Sequence, residues 1–264
     1  MAVNKRVIDD NLGCSKTIFV KELSWLITLT DPTSIANKFN EYFTHSGPNL
    51  ADKIPYISGS HVDYMNNTVS KSMFIKPTNV YEIKKIISEL HNGKSPGYDG
   101  FSAKVIKAIS EFICEPLSHI CNLTFVTGCF PDRLKLAKVI PLYKSENKKM
   151  VSNYRSISIP PLFSKFLEKL MHFRLYEFFD NNQLLYENQY GFRPKHSTYM
   201  ALLKLINKVS HEIDDKFFSV GIFLDLSKAF DTIYHSILPD KLFTYGIVGI
   251  AYNWVKSCLS DRYV

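Results

Sequence analysis

Residues 220–231, Val-Gly-Ile-Phe-Leu-Asp-Leu-Ser-Lys-Ala-Phe-Asp, place one carboxylate, Asp225, directly after an apolar run. We predict that Phe217–Leu224 forms a buried strand, because a near-continuous apolar run suits a strand that is covered on both faces. A carboxylate at the end of such a strand is costly to bury unless a cation or hydrogen-bond donors satisfy it. Asp225 is therefore the best candidate for a metal ligand in this sequence.

The chemistry that Asp225 could support is divalent-metal chemistry on phosphates. Magnesium prefers oxygen ligands and retains waters, so one Asp, a backbone carbonyl and substrate phosphates can supply part of its shell. Asp231 is not a natural second ligand, because six helical steps would rotate it by about 240°. The competing interpretation is that Asp225 or Ser227 merely caps the helix that follows. The local pattern leaves both interpretations open.

Two cations flank a predicted turn earlier in the chain. Lys138–Lys144 alternates as a strand, and after a polar turn Tyr154–Ile159 forms a second strand. Lys144 and Arg155 each share a face with apolar neighbours near this turn. They could together hold a triphosphate, with Lys acting as a point charge and Arg as a bidentate fork. The alternative is two solvent-facing residues on a β-edge.

Two loops carry further candidates for nucleic-acid contacts. The loop Gly93–Gly100, Gly-Lys-Ser-Pro-Gly-Tyr-Asp-Gly, lacks the ending of a P-loop, but its Lys94 could face a backbone phosphate. The segment 189–198 contains Gln189 and Arg193 and mixes aromatic and cationic residues, which could stack on bases and pair with phosphates. Each segment could equally be an ordinary turn or loop.

Apolar spacing and capping residues indicate the elements that would position these side chains. Helices are predicted over or near Pro32–Thr44, after Asn79 with Glu82 as its capping partner, after Ser102, after Pro116, over Leu162–Phe179, after Ser197, over Ser236–Tyr245 and over Ile250–Leu259. Helices that alternate with strands, together with one hairpin, indicate an α/β or α+β fold. We expect an N-terminal helical segment (1–55), a linker (56–78) and a main domain (79–264).

The amino-acid composition limits which binding partners and cellular compartments we expect for the protein. The 264 residues carry a net charge of +7 and a pI near 9.0, which suggests a polyanionic partner such as nucleic acid. Five cysteines without a Cys-x-x-Cys pair make zinc sites and disulfide frameworks unlikely and favour buried thiols in a reducing compartment. No apolar run approaches 18 residues and no signal peptide is evident, so we expect an intracellular protein, in the nucleus or cytoplasm, without a membrane partner.

Four segments in order resemble one known family. They are 93–100, Asn-Tyr-Arg-Ser-Ile-Ser at 153–158, Gln-Tyr-Gly-Phe-Arg at 189–193 with Ser197-Thr198, and Leu-Asp-Leu-Ser-Lys-Ala-Phe-Asp at 224–231. Together they resemble the reverse transcriptase of non-LTR (LINE-like, jockey-type) retrotransposons. The resemblance implies a helix-rich right-hand polymerase with fingers, a fingers hairpin and an incomplete palm sheet. It also implies DNA synthesis on an RNA template from a DNA primer, with deoxynucleoside triphosphates as substrates and Mg²⁺ in a two-metal site.

The same resemblance implies roles for individual residues. Asp225 matches the first catalytic metal ligand, and Leu226 would lend its backbone carbonyl. Phe230 matches the bulky residue that disfavours a 2′-hydroxyl on the incoming nucleotide. Lys144 and Arg155 match fingers residues that hold the triphosphate.

Gln189 and Arg193 fall in the segment that the resemblance places near template and nucleotide. The sequence also departs from the family: Ser156 replaces a proline, and no aromatic-Ala-Asp-Asp motif occurs before Val264. We therefore expect a truncated fragment with little or no polymerase activity as an isolated chain. Two alternatives are a non-catalytic remnant that binds RNA or single strands, and a misfolded product with an open strand edge.

Overall fold

The fold is helix-rich, with two small antiparallel hairpins. The computed structural model describes residues 18–22, 25–51, 69–226, 229, 233–235 and 237–262. The helices are α1 (Pro32–Ala51), α2 (Val80–Ser88), α3 (Ala103–Ala108), α4 (Ser110–Thr127), α5 (Leu162–Asn181), α6 (Thr198–Asp214), α7 (Ile237–Thr244) and α8 (Gly249–Leu259). The strands are β1 (Ile18–Glu22), β2 (Trp25–Leu29), β3 (Lys138–Tyr143) and β4 (Tyr154–Ile159). Every helix predicted from the sequence is present.

The described residues form two compact units, one from Met1–Arg174 and Phe230–Val264 and the other from Leu175–Ala229. The core of the first unit lies among α2, α4, α5 and α8. It contains Ile83, Ile87, Cys121, Phe125, Phe166, Leu170, Ile247 and Trp254, all 4% exposed or less. The indole of Trp254 donates a hydrogen bond to the Thr124 hydroxyl and lies edge-on to Phe130.

Three helix starts follow directly from the local sequence. The side chains of Asn79, Ser102 and Ser197 accept hydrogen bonds from the backbone N–H groups three residues on, as N-cap residues do. Glu82 does not complete a capping box, because its carboxylate binds Arg174 and the Thr78 hydroxyl instead. The caps are therefore confirmed, and the box partner is not.

The prediction that a helix begins after Pro116 is wrong, since α4 begins at Ser110 and carries Pro116 inside it. An internal proline removes one backbone hydrogen bond. Here the buried stripe of Cys114, Leu117 and Cys121 extends on both sides of Pro116. Burial of this stripe offsets the lost bond, so the apolar spacing rather than the proline decides where the helix runs.

The predicted hairpin is confirmed. In β3–β4, Leu142 lies opposite Arg155 and Tyr143 opposite Tyr154. A second hairpin, β1–β2, pairs Ile18 with Leu29 and was not expected from the sequence.

Helix α1 packs on one face of the β3–β4 hairpin. Ile35 and Phe39 form a buried cluster with Val151 and Tyr154. Further along the chain, the backbone N–H of Met73 donates to the Gly246 carbonyl at 2.9 Å, so this part of the expected linker contacts the α7–α8 turn. The proposed domain boundaries themselves stay a prediction.

The prediction of a buried strand over Phe217–Leu224 is wrong. These residues are irregular, and Phe218, Val220 and Leu224 are each more than 85% exposed. A strand forms only when a neighbouring strand satisfies its backbone N–H and C=O groups. Within the described ranges, no strand pairs with this segment. The apolar pattern is present, but none of the described strands pairs with this segment to make it a strand.

Candidate functional site

The β3–β4 hairpin presents Lys144 and Arg155 on one face. Burial alternates along both strands, with Val139, Pro141 and Tyr154 inward and Arg155 outward. Lys144 follows β3, and its backbone N–H donates to the Asn153 carbonyl at 2.9 Å, which extends the ladder by one step. Both cationic side chains are exposed. The register of the hairpin therefore places both cations on one face, and no described carboxylate forms an ion pair with either of them.

The loop at 93–100 packs closely against the residues that follow β4. A Cβ on Gly97 would lie 2.9 Å from the Pro161 Cα, so only glycine allows this approach. Gly100 has a φ of +73°, a conformation that favours glycine. The Tyr98 hydroxyl donates to the Arg133 carbonyl at 2.6 Å. Lys94 is exposed on the loop that these contacts fix.

A second cation, Lys165, faces the same region. Burial lowers the pKa of Lys165 below its ordinary value, and the positive charge of Lys94 lowers this pKa further. The carboxylates of Glu168 and Asp99 act in the opposite direction, so negative charge already lies near these two ammonium groups. The sequence analysis missed Lys165, which lies in the first turn of α5. The sequence distinguishes Lys165 only by its position shortly after Pro160-Pro161, and that position alone does not suggest a chemical role.

In the second unit, the segment 189–198 divides its side chains between solvent and loop. The Arg193 guanidinium is turned inward, where Nη1 donates to the Tyr186 carbonyl at 3.3 Å and Nη2 lies 3.9 Å from Asp180 Oδ1. Gln189 is exposed, and its amide donates to the Gly191 carbonyl at 3.2 Å. The Phe192 ring is 89% exposed. The aromatic ring of Phe192 is thus exposed to solvent, while the arginine supports the loop.

Asp225 and Leu226 lie in an irregular, exposed segment of the second unit. None of the described residues donates a hydrogen bond to the Asp225 carboxylate. Asp225 is therefore not the buried carboxylate at the end of a core strand that the sequence predicted. Phe230, the expected nucleotide gate, lies outside the described residues.

The oxygen ligands that Asp225 and Leu226 offer suit a hard divalent cation, but they are too few to complete its coordination shell. A carboxylate and an adjacent backbone carbonyl are the oxygen ligands that Mg²⁺ prefers, and Mg²⁺ commonly takes its other ligands from water and phosphates. Within the described part of the chain, no three His, Cys, Asp or Glu side chains cluster as a metal site would require. These residues can therefore hold part of a magnesium shell and not all of it.

The buried cysteines are not candidate nucleophiles. Burial raises the pKa of Cys121 to about 12 and also raises the pKa of Cys258. Thiol reactivity requires the thiolate, so both side chains behave as small apolar groups.

Comparison with known proteins shows which family this chain resembles. Residues 146–264 match the model of the reverse transcriptase (RNA-dependent DNA polymerase) family. The match includes Arg155, Gln189, Arg193 and Asp225. Lys144 and Lys94 precede it.

Two individual proteins show which kind of reverse transcriptase the chain resembles. The chain is 31% identical over 205 residues to the probable RNA-directed DNA polymerase from transposon BS of Drosophila melanogaster, covering 76% of this chain and 22% of that protein. It is 27% identical over 246 residues to the RNA-directed DNA polymerase from mobile element jockey of the same species, covering 90% of this chain and 26% of that protein. The resemblance to jockey-type reverse transcriptases is thereby confirmed. The chain spans about a quarter of the length of these relatives.

No described helix is both long and apolar enough to cross a membrane.

Proposed function

We propose that this chain supplies the fingers and part of the palm of an RNA-directed DNA polymerase of a non-LTR retrotransposon. The observation that carries the proposal is the family match over residues 146–264, within which Asp225 follows the apolar run of the fourth motif. The hairpin geometry supports it, because an exposed face with two cations is suited to a polyphosphate.

In this proposal Lys144 and Arg155 bind the triphosphate of the incoming deoxynucleotide. Both side chains extend from the same face of a short hairpin, so they can approach one ligand from one side. Arg155 would bind two phosphate oxygens with its planar fork, and Lys144 would add a compact charge.

Asp225 and the Leu226 carbonyl would hold magnesium, and Phe230 would limit the nucleotide to a deoxyribose. When bound, a pair of such ions activates the primer 3′ oxygen and stabilises the leaving pyrophosphate. The exposure of Asp225 favours this role over a structural one, since a carboxylate without described hydrogen-bond donors remains available to an ion.

The template and primer would lie along the remaining cationic and aromatic groups. Lys94 would face a backbone phosphate, because its side chain is exposed on a loop that the close approach at Gly97 holds in place. Gln189 would contact the template or nucleotide from the loop that Arg193 holds in place. Arg193 would thus contribute mainly through the shape of that loop.

A binding experiment tests the polyanion part of the proposal. The affinity of the chain for a fluorescein-labelled deoxynucleoside triphosphate is measured by anisotropy at several salt concentrations. We expect log K to fall with log salt, and the double variant Lys144→Ala/Arg155→Ala to reduce both the affinity and this slope. The charge-matched control is Lys84→Ala/Lys169→Ala, which removes cations already paired with carboxylates. Equal slopes in the two double variants would contradict the proposal.

A metal experiment tests Asp225 separately. Mn²⁺, a paramagnetic substitute for Mg²⁺, should enhance water-proton relaxation when bound to the chain, and Asp225→Asn should remove that enhancement. Asp215→Asn is the matched control, because Asp215 is an exposed carboxylate at the end of α6. Identical enhancement in both variants would refute the metal-ligand role.

A second function, binding of RNA or single strands without catalysis, is favoured by one observation. Among the described residues, no three His, Cys, Asp or Glu side chains group together around Asp225 as a complete metal site would require. Ligand preference separates the two functions, because the isolated chain is not expected to extend a primer. A polymerase fragment binds labelled deoxynucleoside triphosphate and loses this affinity in Lys144→Ala/Arg155→Ala, whereas a binding remnant retains salt-dependent affinity for RNA and does not bind the triphosphate.

A further inference from the structure

The turn between β3 and β4 is held from its inner side by two tyrosine hydroxyls. Tyr143 donates to the Glu146 carbonyl at 2.6 Å, and Tyr154 donates to the Lys148 carbonyl at 2.6 Å. Glu146 has a φ of +71°, which is unfavourable for a side chain other than glycine. The two hydroxyls therefore stabilise a turn that the backbone alone does not favour.

Helix α1 in turn fixes the tyrosines. The Phe39 ring is 3% exposed and packs edge-on against Tyr154, with ring centroids 4.9 Å apart. Tyr154 contacts Tyr143 at 5.7 Å in a similar geometry. A continuous series of aromatic contacts thus runs from α1 to the turn carbonyls.

The same turn carries cations on its exposed side. Lys144 begins the turn and is tied to it by the hydrogen bond from its backbone N–H to Asn153. The Lys148 ammonium lies 5.3 Å from the centroid of the Tyr143 ring, a cation–π contact. A shift of either tyrosine would therefore move cationic side chains as well as backbone.

We propose that α1 positions the phosphate-binding cations of the hairpin, acting through Phe39 and the hydroxyls of Tyr143 and Tyr154. The inference rests on the proposed function, because it takes the hairpin cations as the phosphate-binding groups. These three residues are positioning residues and touch no substrate. Their effect is to hold the turn in one geometry before the ligand arrives, which reduces the ordering cost of binding.

The test removes the hydroxyls and leaves the rings. Tyr143→Phe and Tyr154→Phe are compared with Tyr81→Phe, a control on an exposed tyrosine of α2. Hydrogen exchange measured by mass spectrometry reports on the peptides that span 144–153, and anisotropy reports affinity for the labelled deoxynucleoside triphosphate. We expect faster exchange in this turn and about fivefold weaker binding in the first two variants, the effect of one net hydrogen bond. The control should change neither quantity.

A packing series examines the α1 end. Phe39→Ala opens a cavity that can unfold the helix, so Phe39→Leu is the informative partner. The leucine variant should restore most of the exchange protection and affinity that the alanine variant loses. The inference is overturned if both hydroxyl deletions leave exchange at 144–153 unchanged, or if they loosen the turn without weakening binding.

These outcomes are distinct from failure of the proposed function. Binding that is lost in Lys144→Ala/Arg155→Ala but unaffected by the tyrosine variants overturns the inference alone. A wild-type chain that does not bind the labelled triphosphate overturns the proposed function, and the inference with it.

Discussion

Arg174 is the most informative residue for testing how the first unit is stabilised. Its side chain is 6% exposed, and its Nη atoms donate to both carboxylate oxygens of Glu82 at 3.0 Å. Nε donates to the Lys76 carbonyl at 2.6 Å, and Nη1 also donates to the Leu170 carbonyl at 2.9 Å. The guanidinium lies 5.1 Å from the centroid of the Phe125 ring. One side chain therefore joins α2, α4, α5 and the segment before α2.

The variant Arg174→Met keeps an apolar stem but leaves Glu82 and two backbone carbonyls without their donor. Removal of one partner from a buried ion pair typically costs about 3–5 kcal/mol. Because the Glu82 side chain is 28% exposed, water can reach the orphaned carboxylate, and we expect the lower end of that range. A loss of about 3 kcal/mol corresponds to a decrease in Tm of about 6–12 °C for a domain of this size.

Urea unfolding followed by circular dichroism measures this loss against a matched surface pair. Lys169→Met removes the cation from an ion pair with Glu89, whose side chains are 36% and 44% exposed, and should cost less than about 1 kcal/mol. The double variant Glu82→Leu/Arg174→Met should recover much of the loss, because no unpaired charge remains. If Arg174→Met costs no more than Lys169→Met, the buried pair does not stabilise the unit.

Three further predictions concern acid stability, the 93–100 loop and α6. Burial acts to raise the pKa of Glu82, but hydrogen bonds from Arg174 and Thr78 outweigh it, and the pKa is lowered below its ordinary value of 4.5. The stability that the ionised Glu82 contributes is therefore complete above pH 4.5 and is lost as pH falls through the lower folded-state pKa. Urea titrations between about pH 3 and pH 7 should therefore show a smaller decrease in the free energy of unfolding at acid pH in Glu82→Gln than in the wild type. Gly97→Ala should destabilise the first unit by about 1–3 kcal/mol in thermal melts, whereas Gly93→Ala, with open space around the new Cβ, should not. Ser197→Ala should cost α6 about 1 kcal/mol and speed amide exchange in its first turn, because the hydroxyl accepts from the Met200 N–H at 3.3 Å.

The parts of the fold that could be predicted from the sequence are those with local causes. A cap residue followed by an apolar stripe specifies a helix start within a few residues, as at Asn79, Ser102 and Ser197. The β3–β4 hairpin was predictable for the same reason, since two alternating strands and a polar turn lie within one short stretch. Its alternation placed Lys144 and Arg155 each on a face with apolar neighbours, and the pairing register of the structure brings those two faces together.

The parts that failed depend on partners distant in the sequence. An apolar run such as 217–224 specifies that a strand can form, but its backbone must pair with another strand, and a pattern does not say which. Helix α6 shows the same limit, because its apolar side chains Leu202, Leu205 and Ile206 have helical spacing and are nevertheless 43–53% exposed. The local sequence therefore specifies where helices and turns form. It does not specify which side chains of the second unit are buried, because burial depends on partners distant in the sequence.

The hairpin also shows why geometry adds to family resemblance. The family match begins at residue 146, inside the β3–β4 turn, so it includes Arg155 and excludes Lys144. The register, however, makes the two strands one element, in which Leu142 lies opposite Arg155 and Lys144 follows on the same exposed face. The inner face of that element packs against α1, which lies further still from the matched segment. A phosphate-binding role for Lys144 therefore depends on the pairing of β3 with β4, and loss of binding in Lys144→Ala alone would extend the functional hairpin beyond the matched sequence.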